Sequence, residues 1–143
     1  MNNIPMSISV NSEYFDTQSD EKYDEISSRA IGVLQKKDKQ YRIIYKERSN
    51  DTDLTTELIF SEGEGSLTVT KRGEAECQML FCESRRSSFV YRLAYASFDA
   101  EITTHSLTNT ISVSGGEICV SYTLSLGGQS QKISMKISAE AIK

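Results

Sequence analysis

Hydrophobic residues in this chain recur at every second position, in one short row after another. Alternation of that kind is the mark of a half-buried β-strand, whose side chains point to opposite faces in turn. Ile4, Met6, Ile8 and Val10 form the first row, and Tyr41, Ile43 and Tyr45 another. Leu54, Thr56, Leu58 and Phe60 continue the pattern, followed by Leu67 and Val69. Phe89, Tyr91, Leu93 and Tyr95 share one phase, and Phe98, Ala100 and Ile102 the next. Two rows near the C-terminus are the clearest: Ile118, Val120, Tyr122, Leu124 and Leu126, then Ile133, Met135, Ile137 and Ala139.

Turn chemistry fills the gaps. Lys36-Lys37-Asp38-Lys39, Glu62-Gly63-Glu64-Gly65, Lys71-Arg72-Gly73, Ser114-Gly115-Gly116 and Gly127-Gly128 carry residues that tolerate hairpin dihedrals. Residues 22–35 alternate poorly, and a long strand with a bulge near Gly32 accounts for that. No stretch shows a sustained helical period. The expectation is all-β: a single antiparallel barrel of about eight to ten strands over residues 1–143, closed so that no sheet edge is left bare.

Charge and composition narrow the function. The formal net charge of -4 argues against a nucleic-acid partner, which would need a basic face. No apolar run is long enough to cross a bilayer as a helix, and the first residues show no secretion signal. Three cysteines without metal-ligand spacing read as free thiols in a reducing compartment, so a cytoplasmic location is expected. His105 is the lone histidine and falls out of phase with its strand, which directs it to solvent. No metal, no cofactor and no catalytic residue is assigned.

Four stretches resemble a known family. They are Tyr41 to Glu47, the turn Lys71-Arg72-Gly73-Glu74, the aromatic strand Tyr91-Arg92-Leu93-Ala94-Tyr95-Ala96, and a late Gly-Gly hairpin beside Tyr122-Thr123-Leu124. The chain resembles the bacterial YwiB-like family, a domain of unknown function, over nearly its whole length. Ala94 and Ala96 stand where members of that family often carry Pro and Gly. The resemblance implies a lipocalin-like (calycin) barrel and leaves the activity open.

The tyrosines are the most informative residues. Tyr41, Tyr45, Tyr91, Tyr95 and Tyr122 share the phase of the apolar residues in their strands, so they are expected to line the interior. Glu47, in phase with Tyr45, can serve a buried phenol as acceptor. Arg72, in the family-like turn, adds a forked donor for an anion or pairs with a nearby carboxylate. Two uses of such an interior follow: a cavity for a small, partly polar ligand, or a packed core that serves structure or protein interaction. An enzymatic use would rest on Glu47 and Tyr91 as acid and base. Oligomeric state is left open.

Overall fold

Ten strands follow one another along the chain: β1 (Asn3–Phe15), β2 (Lys22–Lys37), β3 (Gln40–Ser49), β4 (Thr52–Ser61), β5 (Ser66–Gly73), β6 (Ala75–Cys82), β7 (Arg86–Leu93), β8 (Ser97–Asn109), β9 (Gly115–Leu126) and β10 (Gln129–Ala141). They are seen in a computed structural model that describes residues 3–49 and 52–142. Each pairs antiparallel with the next, and β10 returns to β1 to close the barrel. Short connections make this meander possible. At Gly127-Gly128 both residues have positive φ, which suits the two-residue hairpin joining β9 to β10.

The period-two rows set the register. Met6, Ile8, Leu34, Ile43, Leu58, Leu67, Phe81, Ile118 and Ile137 point inward and are fully or almost fully buried. They gather in the half of the barrel where the even-numbered strands finish, here the lower half. Burying each such side chain contributes about 1.5–3 kcal/mol, so this layer holds the fold. Tyr41 closes it from below. Its ring stacks on Phe60 (centroids 5.2 Å apart), and its hydroxyl donates to Glu62 Oε1 at 2.6 Å.

Gly32 belongs to this packing and is not a bulge. The β1–β2 register runs unbroken through it, from Asn3–Gln35 to Tyr14–Asp24. A methyl group there would meet Ile8 Cδ1 at 2.5 Å and the Ile44 carbonyl at 2.6 Å. Close approach of neighbouring side chains and backbone, rather than an extra residue, explains the glycine. The irregularities fall elsewhere, at Tyr14/Phe15 and at Thr104/Ser106 beside the exposed His105.

The wall is not uniform. β1, β8, β9 and β10 are zipped along most of their length. β6 and β7 share only the pairs Ala75–Leu93 and Glu76–Arg92 before they diverge. β2 pairs with β3 only from Gly32 to Lys37, so Lys22–Ile31 has a neighbour on one side alone among the described residues.

Candidate functional site

Inward-facing residues change character toward the upper half, where the odd-numbered strands finish. Moving up from Ile43 on β3, the next inward position is Tyr45 and the next Glu47. On β4, Leu58 gives way to Thr56; on β5, Val69 gives way to Lys71. On β6, Phe81 and Met79 lead up to Cys77, and β8 contributes Thr104 opposite Tyr122 of β9. Strand alternation alone places them: Tyr45 opposes Thr56, Thr56 opposes Lys71, and Lys71 opposes Cys77. On β3 to β6 aliphatic side chains therefore form the floor and a polar layer sits above it, whereas on β8 the buried Ile102 lies above Thr104 and on β10 the buried Ile133 stands beside Tyr122.

This layer is only partly closed. Tyr45, Thr56, Cys77, Thr104 and Tyr122 are buried. Glu47, Lys71, Tyr91 and Tyr14, higher in the barrel, are half-buried. Tyr122 packs edge-on against Phe81 of the floor, with centroids 4.8 Å apart.

Burial controls the protonation of these groups. It drives the phenol pKa of Tyr45 far upward, and the neighbouring Glu47 carboxylate adds to the effect. Tyr122 is shifted up by burial and by the nearby Tyr14 and Cys77. Tyr91 and Tyr14 move in the same direction, again chiefly by burial. Cys77 is also raised by burial, against the opposing pull of the Lys71 ammonium. Near neutral pH the layer thus presents phenol O–H groups, a thiol and an ammonium. That is a set rich in donors, with Glu47 as its carboxylate. A thiol held in its neutral form is a poor nucleophile.

Two hydroxyls in the layer lack a well-formed hydrogen bond, Thr56 beside the Tyr45 phenol and Thr104 opposite Tyr122. Thr56 Oγ1 and Thr104 Oγ1 are buried and make no hydrogen bond of good geometry within the chain. A buried hydroxyl left so costs about 1–3 kcal/mol. Among the described residues, no three His, Cys, Asp or Glu side chains gather where they could hold a metal ion.

Four of the residues expected from the sequence meet here: Tyr45, Glu47, Tyr91 and Tyr122. Three others do not. Tyr41 faces inward but sits at the opposite end, tied to Glu62. Tyr95 is 83% exposed, because β7 ends at Leu93 and the alternation stops in the turn that follows. Arg72 is exposed on the outer face of β5, where it borders a groove of about 420 Å³ with Glu76, Gln78, Val90 and Arg92, a groove that the inward Lys71 and Cys77 also line. The inward cation is its neighbour. Lys71 lies two residues beyond Val69 and four beyond Leu67, so the phase that marked the tyrosines also marks this lysine. Thr56 stands in the Leu54–Phe60 row, and Thr104 lies two residues beyond Ile102 in the Phe98–Ile102 row, so both were legible in the same way.

Comparison with known proteins agrees with this architecture. A sequence profile for a family described as "Domain of unknown function (DUF1934)" matches residues 8–137. The crystal structure of the ywiB protein from Bacillus subtilis superimposes with a TM-score of 0.86 at 19% identity, covering 99% of this chain and 94% of that one. No curated protein sequence matches the chain.

Proposed function

The chain belongs to the DUF1934 family, and from the geometry of its upper barrel we infer that it is a binding protein for a small, partly polar molecule. In this use of the interior the barrel resembles a lipocalin. One observation carries the reading: a donor-rich layer, half open to solvent, stands directly on a dry aliphatic floor. A packed structural barrel would gain stability from aliphatic residues at Thr56, Lys71 and Thr104. Instead these positions hold polar groups, two of them without a well-formed hydrogen bond inside the chain. They fit a ligand whose apolar body rests on the floor and whose acceptor group, a carboxylate, sulfonate or carbonyl, meets Lys71 and the phenols. Three free thiols are in keeping with a reducing, cytoplasmic setting.

Thermal-shift screening with small aromatic and aliphatic carboxylates and sulfonates tests the reading. Binding in the layer raises the melting temperature of the native protein, and Lys71→Met abolishes the rise while leaving the unliganded protein folded. A rise that survives Lys71→Met, or no rise with any acceptor-bearing compound, refutes it.

A further inference from the structure

The strand β2 has an unpaired edge with a self-complementary surface. From Lys22 to Ile31 it pairs with β1 on one side, while on the other its pairing with β3 begins only at Gly32. The exposed segment carries Ile26 and Ile31 at 53% and 67% exposure. An open edge with apolar side chains is a template for another strand.

The sequence of this edge selects the strand that fits. Glu25, Ser27, Arg29 and Ile31 alternate along one face of β2 and point away from the barrel interior, since Ala30, in the other phase, opposes the inward Ile8. When two copies of an edge pair antiparallel about a two-fold axis, each residue meets one on the same face, so the residue on the axis fixes every pair. Centring on Glu25 or on Arg29 would set like charges against each other. Centring on Ser27 opposes Glu25 to Arg29 and Arg29 to Glu25, with Ile26 against Ser28 on the other face. Glu25 already has Lys22 at 2.6 Å, whereas Arg29 has no carboxylate partner among the described residues.

We propose that the chain forms a two-fold symmetric dimer by pairing the β2 edges of two copies, with Ser27 on the axis and reciprocal Glu25–Arg29 ion pairs. Two charge pairs on a short ribbon give a weak, concentration-dependent dimer. Opposite charges directly across strands attract and like charges repel, so either single reversal, Glu25→Arg or Arg29→Glu, weakens it roughly tenfold. The two variants are complementary to one another. Mixed, they put a glutamate opposite an arginine at both positions.

Sedimentation equilibrium of the full chain up to roughly millimolar concentration tests this, with circular dichroism to confirm that each variant is folded. The wild type dimerises, each reversal alone shifts toward monomer, and the equimolar mixture recovers the wild-type affinity. A wild type that stays monomeric throughout overturns the proposal. So does a dimer indifferent to both reversals, or a mixture no more associated than its components.

Discussion

The lower and upper halves of the barrel are built from the same strands and the same alternation, yet they follow different rules. Below, inward positions are Leu, Ile, Met and Phe, and nearly all are inaccessible to solvent. Above, Tyr45, Thr56, Lys71, Cys77, Thr104 and Tyr122 turn inward beside the aliphatic Ile102 and Ile133, and Tyr91 and Glu47 remain half-open. The contrast separates two tasks. A floor of close-packed aliphatics supplies the free energy that keeps a barrel shut. A layer that leaves hydroxyls without well-formed hydrogen bonds gives up part of that stability, which under the proposed function serves to recognise a ligand.

The sharpest way to break this comparison is to remove one side chain from the floor. Phe81 is fully buried and supports Tyr122. Phe81→Ala is expected to cost about 3–5 kcal/mol, measured by urea denaturation. A loss under about 1 kcal/mol would mean that the floor is not tightly packed.

A smaller effect comes from filling space that the floor does not have. In Gly32→Ala the new methyl meets the Ile44 carbonyl, which cannot rotate away, as well as Ile8 Cδ1, which can. Overpacking of this kind costs about 1–3 kcal/mol. Unchanged stability would show that β2 and β3 can move apart without penalty.

Alkaline pH acts on the upper half. In the folded protein Tyr45 and Tyr122 hold their protons well above the ordinary phenol pKa of 10.0, near which the unfolded chain releases them. A group whose folded pKa is raised stabilises the fold fully below the unfolded pKa and loses that contribution as pH rises beyond it. Stability should therefore decline from about pH 10 upward, and Tyr122→Phe should make the decline shallower. A decline equally steep in Tyr122→Phe would contradict the burial of that phenol.

The smallest expected effect is the most specific. Thr56→Val with Thr104→Val replaces two hydroxyls that make no well-formed hydrogen bond by methyl groups of similar size. Stability should stay level or rise by about 1 kcal/mol, the opposite sign to any floor substitution. A loss of more than about 1 kcal/mol would mean that these hydroxyls are satisfied inside the chain after all.

Much of this was legible in the chain itself. The rows of alternating residues account for the strands, and closure follows from the need to remove edges. Phase also placed Tyr45, Glu47, Tyr91 and Tyr122 correctly. Phase fails where a strand stops, and so Tyr95, beyond Leu93, turned out exposed. It also does not say at which end of a barrel an inward residue lies, which is why Tyr41 was grouped with residues at the far end. Lys71 was hidden by its sequence neighbours: a basic pair before a glycine resembles a solvated turn, although strand β5 runs on through Gly73. Thr104 continues the phase of Phe98, Ala100 and Ile102, so its inward direction was readable, whereas its full burial comes from the strands around it.

The division between floor and polar layer is tested most directly by mapping where an acceptor-bearing probe binds. Anilinonaphthalene sulfonate has an apolar body and an anionic head, and titrating it into isotopically labelled protein reports each backbone amide by NMR. With the upper layer as the binding site, shifts concentrate at Lys71, Cys77, Tyr91 and Tyr122, leave Leu34, Ile43 and Leu58 unmoved, and disappear in Lys71→Met. Shifts confined to Arg72, Gln78, Val90 and Arg92 on the outer face, or a pattern unchanged by Lys71→Met, would contradict it.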